Sequence, residues 1–409
     1  MTYDLFLCSL VPDLLSGGII GRFFDKGIAS NRRLQSIHVV ICVQYCCILL
    51  CCAICFIIFE NDEKLKGDNS VSTILVLLLS VTIIASAFAN LCSEASALSL
   101  ENDWIVVISD KNDLFLGGLN VNLRRVHIIA KMIGPIVTGY YLKITENSLG
   151  STFLIIALAA ICSFLVKYRC LARICSEVPN LIMQRENCDV VGEDQDGHFE
   201  TYKICKSCSI IDSFATYFQQ DIALGGLGFS FLYLNVMTGG DLMTSYLIWR
   251  GMPLNWLGIL RGVAEITSLF GTFAFKWSSK RYPLKIIAVL SIAFMAMCLV
   301  VSLMGVLFVT SGKVSISMLV IGVIVSRIGL WANDLSITQL TQETVDEKER
   351  GIVGGSQRSL NALLYGVQFI CASIWADPSQ FGILCFVGFF AVMISFCLMM
   401  RGIYFSTSF

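Results

Sequence analysis

What most constrains this chain is the recurrence of apolar runs long enough to cross a hydrocarbon layer as helices. At 1.5 Å of rise per residue, about 20 apolar residues span a bilayer core of roughly 30 Å. About eleven such runs occur, near residues 3–21, 37–59, 71–98, 119–142, 150–173, 222–249, 254–275, 284–309, 314–341, 352–375 and 379–400. Of 409 residues, 56% are hydrophobic and 14% charged, too little polar surface for a soluble chain of this length. The reading is an all-α, polytopic membrane protein in contact with lipid. Met1–Leu10 lacks a basic n-region and the first apolar run leads straight into a basic turn, so no signal peptide is recognised.

The basic residues orient the spans. If the turn Gly21–Arg33 is cytosolic, alternation places 21 of the 29 Lys and Arg on the cytosolic side and 5 outside, with Lys131, Arg261 and Arg327 within spans. Met1 then lies outside with nothing before it to carry it there, and an initial helix is expected to be missing. The internal repeat agrees. The turns GRFFDKGIASNRR and FKWSSKRYPLK both precede a long apolar run, and aligning them leaves the sixth span without a counterpart in the first half. The expected organisation is an N-lobe over 1–175, a cytosolic central loop over 176–214 and a C-lobe over 215–409. A net charge of −1 excludes a basic face for nucleic acid. Most of the 18 cysteines lie in apolar runs, as at Cys42, Cys46, Cys47, Cys51, Cys52 and Cys55, where they act as small hydrophobes.

Two places within the spans break the apolar pattern. Arg327 and Asp334 stand seven residues apart, two helical turns and nearly one face, before the cluster Glu343, Asp346, Glu347, Lys348, Glu349 and Arg350. Charges at this depth cost roughly 3 kcal/mol or more, so both need partners on other helices, as gate or pathway residues or as a structural ion pair. The sixth span is interrupted at 238–241 by Thr238, Gly239, Gly240 and Asp241. Such an interruption frees backbone carbonyls, tolerated only against protein or a water-filled cavity, and marks substrate sites in transporters; a packing kink is the plainer alternative.

With these features in view, DWIVVISD at 103–110, NVNLRRVHIIAKMIGPIVTGYY at 120–141, FLYLNVMTGGDLMTSY at 231–246 and RIGLWANDLSITQLTQETVDEKERGIVGGSQRSLNALL at 327–364 resemble the ferroportin family of ferrous-iron exporters. The resemblance covers nearly the whole chain except the family's first helix. It implies the two-lobe major facilitator bundle, with about eleven of twelve helices present. It also implies gates, with Arg124 pairing with Asp334 across the lobes, Asp103 with Arg350 on the cytosolic side, and Asp25 latching the first cytosolic turn. Arg327 joins these as a gating candidate.

The family's metal positions are altered. Its C-lobe iron site uses an aspartate matching Asp241, a neighbouring cysteine that falls at Leu242, and a histidine that falls at Gln368. Its calcium site keeps Gln44, but an asparagine and a glutamate fall at Ala160 and Lys167. Leucine offers no lone pair and an ammonium repels a cation. The candidate metal ligands are therefore Asp241, Gln368 and Gln44, oxygen donors that suit hard divalent ions. No resident cofactor is expected, the substitutions argue against a calcium site, and Leu242 removes the thiol on which the peptide hormone hepcidin docks in the family.

Other signals are weaker. Cys205 and Cys208, with Cys188 and His198 nearby, resemble half a zinc knuckle but fit no standard spacing. His127 reads as a solvated or hydrogen-bonded histidine and Pro135 as a helix kink. Tyr140, Tyr141, Trp249, Trp256 and Trp277 lie at span ends as an interfacial belt. No motif supports an enzyme. The expected function is export of ferrous iron or another divalent metal by alternating access in the plasma membrane. A transport-dead regulatory paralogue and a facilitator for a non-metal solute are the alternatives.

Overall fold

A computed structural model describes residues 33–60, 69–110, 112–144, 149–178, 181, 210–309 and 311–406. The expected span at 3–21, the turn with Asp25, and Cys188, His198, Cys205 and Cys208 lie outside these residues. Every regular element among them is helical. In order they are α1 (Arg33–Glu60), α2 (Asn69–Ser99), a π turn at Leu100–Trp104, α3 (Ile105–Ser109), α4 (Asp113–Ile144), α5 (Leu149–Glu177) and α6 (Ile210–Phe218). There follow α7 (Ala223–Phe231), α8 (Asp241–Trp249), α9 (Leu254–Ser278), α10 (Leu284–Phe308), α11 (Gly312–Thr344), α12 (Arg350–Ile374) and α13 (Phe381–Ser406). Each expected span within the described residues falls on one or two of these helices.

Local chemistry explains where several helices begin. Pro253 and Pro283 stand just before α9 and α10, where the fixed φ suits a helix start and the missing N–H is not needed. Before α13, the Asp377 carboxylate accepts the Ser379 N–H at 2.9 Å across a short turn opened by Pro378. Among the described residues, seven helical stretches are long and apolar enough to cross a membrane. α4 and α12 are of similar length but carry Arg124, Arg125 and Lys131, and Arg350, Gln357 and Arg358. α4 continues through Pro135 without interruption, and His127 is exposed on it. Tyr140, Trp249, Trp256 and Trp277 are all exposed near helix ends.

Apolar burial falls into two main cores. Ile37, Ile41, Ala95, Trp104, Leu171, Cys175 and Leu181 form one, drawn wholly from the first half of the chain. The larger one, from Tyr217 to Met399, lies wholly in the second half and includes Ile292, Met295, Leu299 and Leu319. Among the described residues a small cluster joins them, where Val121 of α4 meets Phe275, Ile287, Ala332 and Leu335. The halves therefore share little apolar surface. All fourteen cysteines among the described residues are free, and those on α1 sit in its apolar sequence.

The closest helix packing is between α10 and α11, where association in lipid rests on small residues that let backbones approach. A Cβ at Gly322 would lie 2.6 Å from the Cys298 carbonyl oxygen and collide with the Ser302 hydroxyl. Replacement Gly322→Val should therefore lower stability by about 1–3 kcal/mol, measured as a fall in unfolding temperature of the purified protein in detergent, while Gly118→Ala, where the space is open, should have little effect.

Candidate functional site

The sixth span is built as two half-helices. α7 tightens into a 3-10 turn at Leu232–Leu234, and the chain then turns extended at Asn235. Gly239 has a φ of 77°, a left-handed conformation that a side chain would strain. Gly240 is extended and Asp241 starts α8, so the interruption runs from Asn235 to Gly240 and Asp241 stands at its far edge. The freed backbone groups are satisfied from elsewhere. The Asn235 side-chain oxygen accepts the Met237 N–H at 3.0 Å. Gln368 of α12 donates to the Asn235 carbonyl at 3.0 Å, and Arg327 of α11 donates to the Thr238 carbonyl at 3.0 Å.

Arg327 also meets Glu265 at 2.7 Å and donates to the Ser268 hydroxyl at 2.8 Å, both on α9. These partners, among the described residues, all belong to the second half, where Arg327 braces the broken helix. Its i, i+7 neighbour Asp334 has a different partner. Charges on one helix face can be divided among helices on either side of it.

Around the break, Asp241 is exposed, its side chain 84% accessible, and its carboxylate lies 3.3 Å from Arg261, which also donates to Thr244 at 3.0 Å. Leu242 packs against the larger core. Gln368 is buried, and with its nitrogen on Asn235 its carboxamide oxygen has no partner. That oxygen and the Asp241 carboxylate are the donors that the sequence anticipated. Among the described residues, no three His, Cys, Asp or Glu side chains come together as a metal cluster. In the first half Gln44 is buried with its carboxamide oxygen unpartnered, Ala160 is buried, and Lys167 donates to the Ser96 hydroxyl at 3.4 Å.

The two halves meet through a polar seam. Arg124 of α4 lies 2.8 Å from Asp334 of α11, the pair expected from the resemblance, and 3.8 Å from Glu101. Asp103 lies 3.1 Å from Arg33 at the start of α1, and Arg33 continues to Glu347 at 2.8 Å. Of the expected Asp103–Arg350 pair, Arg350 is close enough to act electrostatically on Asp103, and it also donates to the carbonyls of Asn102 at 3.5 Å and Val345 at 3.1 Å. Arg358 of α12 contacts Glu94 and lies 3.2 Å from Glu101. Gln342 donates to the Glu101 carbonyl at 2.6 Å and Gln339 to that of Asp113 at 3.2 Å. Arg125 donates to Thr272 at 2.9 Å and stacks over Phe273. These contacts gather on the side that the basic residues assign to the cytosol. Sequence reasoning did not single out Arg33, Glu94, Glu101, Glu265 or Arg358, although charges inside apolar runs at 94 and 265 were the available signal, and it placed Arg261 within a span without a role.

Solved structures place this architecture. The chain superposes on a bacterial homologue of iron transporter ferroportin, in an outward-facing state with soaked iron, with a TM-score of 0.80 at 19% identity, over 98% of this chain and 89% of that one. Against the inward-facing state of a bacterial homologue the TM-score is 0.58 at 17% identity, over 98% and 99%. A proton:xylose symporter of the major facilitator superfamily gives 0.64 at 13% identity, over 99% and 86%. The fold is that of a major facilitator superfamily transporter, a multi-pass membrane protein. Within that class the chain belongs to the ferroportin family, whose Ferroportin1 model matches residues 6–392. It is 26% identical to ferroportin of Canis lupus familiaris over 464 residues, spanning 91% of this chain and 79% of that protein. It is 28% identical to solute carrier family 40 member 1 of Arabidopsis thaliana over 363 residues, spanning 81% and 68%.

Arg124 and Asp334 are largely enclosed, with side chains 17% and 16% exposed. Removing one partner leaves the other charge buried and costs about 3–5 kcal/mol. Arg124→Ala and Asp334→Ala should each lower the unfolding temperature clearly in detergent, and the double replacement Arg124→Leu with Asp334→Leu should recover most of the loss.

Proposed function

We propose that this chain exports ferrous iron, or another divalent metal ion, across the plasma membrane by alternating access. The observation that carries the reading is the polar seam: ion pairs close one side between halves that share little apolar core. The greater likeness to an outward-facing homologue than to an inward-facing one supports the same view, because the seam would then be the closed cytosolic gate. Arg124–Asp334 and Arg33 with Asp103 and Glu347 hold that gate; parting them exchanges protein partners for water and opens the inner side.

The ion would be received beside the broken helix. Asp241 supplies the charged oxygen and Gln368 the neutral one, with water completing a hard-donor set of modest affinity. A transporter needs modest affinity, since an ion held tightly is not released. Arg261 must turn from Asp241 for a cation to bind there, a tethered competitor for the same carboxylate. Lys167 places an ammonium where the family draws on a carboxylate, so transport should not depend on calcium. With Leu242 in place of a thiol, no sulfur-directed docking of a regulatory peptide is expected.

Efflux of radiolabelled iron from preloaded cells, with surface abundance measured in parallel, tests this reading. Efflux should exceed that of mock cells. Asp241→Asn and Gln368→Ala should each raise the half-saturating iron concentration on the order of tenfold, about 1.4 kcal/mol of binding, whereas Arg261→Gln should lower it. Efflux at mock level despite full surface expression would overturn the proposal and favour a regulatory paralogue. Flux of an organic solute indifferent to divalent metals would favour the non-metal alternative, for which the Asp241–Arg261 pair speaks.

A further inference from the structure

The seam holds a group of charges beyond the gate pairs. Starting on α2, the Glu94 carboxylate contacts Arg358 of α12, whose other terminal nitrogen lies 3.2 Å from Glu101. The second oxygen of Glu101 is 3.8 Å from Arg124, and Arg124 is 2.8 Å from Asp334. The sign alternates at every step of this chain of five side chains, and three of its four links run between the halves. Glu101 is the node, because it alone touches both guanidiniums.

Glu101 does not sit on a regular helix. Leu100–Trp104 form a π turn, in which hydrogen bonds skip one residue further than in an α-helix and leave carbonyls in need of partners. Those partners come from the other half: Gln342 donates to the Glu101 carbonyl at 2.6 Å and Arg350 to that of Asn102 at 3.5 Å. No glycine or proline occurs in LENDW, so the sequence itself does not demand the distortion. The turn is therefore held by side chains that are present only while the halves are together on this side. With them gone and water admitted, the i→i+4 ladder is the regular way to satisfy the same carbonyls within the helix.

We propose that Arg358 is a positioning residue for transport: by clamping Glu94 and Glu101 from the opposite half, it holds the π turn of α2 in the form that completes the closed cytosolic seam. The turn is thus a two-state element, π-helical when the seam is shut and α-helical when it opens, and Arg358 biases it toward the shut form. The idea goes beyond the gate pairs in naming a backbone rearrangement and the side chain that controls it. It rests on alternating access but not on which ion moves.

Hydrogen–deuterium exchange of the purified, metal-free protein in nanodiscs tests this directly, read on peptides covering residues 95–110. Arg358→Gln, by letting the turn interconvert between its two forms with the seam open to water, should raise exchange at 100–105 on the order of tenfold relative to the native chain, with exchange in α10 unchanged. Arg358→Lys, which keeps the charge, should retain most of the protection that Arg358→Gln loses, which also guards against a single variant that merely misfolds. Native-like exchange at 100–105 in Arg358→Gln, or an Arg358→Lys variant no better protected than Arg358→Gln, would overturn the proposal. Because no metal is present, failure here is separable from failure of the metal-export reading.

Discussion

Hydrocarbon offers no hydrogen bonds, so wherever a membrane helix leaves the i→i+4 ladder its backbone must be repaired by side chains from elsewhere in the fold. Among the described residues this chain does so twice within its apolar spans. At Asn235–Gly240 the carbonyls are taken by Gln368 and Arg327, both from the same half. At Leu100–Trp104 they are taken by Gln342 and Arg350, both from the other half. The first repair lies within one half, next to Asp241. The second depends on how the halves sit, and can respond to it.

The division of forces fits a molecule that must open without coming apart. Each half has its own apolar core, and among the described residues the apolar contact across the seam is the small cluster around Val121. Elsewhere the halves are joined by guanidinium–carboxylate pairs and amides. Such pairs gain strength when water is excluded, yet lose little net free energy when water enters to solvate both partners. A seam made of leucine would be slow to part; a seam made of exposed charges alone would not stay shut.

The spans were legible because lipid imposes a length and an apolarity that a sequence cannot hide. Arg124 and Asp334 were legible as a pair from the family resemblance, and the geometry brings them together. Asp103 was recognised but its ion pair with Arg33 was not: Arg33 lies at the very start of α1, in a basic turn where nothing in the spacing distinguishes it from Arg32. Arg327 was recognised as a buried charge, yet its direction depends on Glu265, a lone acid on α9 whose relevance appears only when the helices are packed. The π turn left no local mark. It arises from partners over two hundred residues away in the chain, as the Gln342 contact with Glu101 illustrates. Local sequence does not encode a distortion that the other half supports.

The measurement that tests the account most directly is single-molecule energy transfer between dyes placed by bioorthogonal labelling at Leu114 and Asp346, exposed positions on opposite sides of the seam, so that the native cysteines are left intact. The expected result is two interconverting states, a short-distance one predominating without metal and a longer one whose share changes when ferrous iron is added. A single distance, unchanged by iron, in protein competent to reach the membrane would contradict alternating access through this seam.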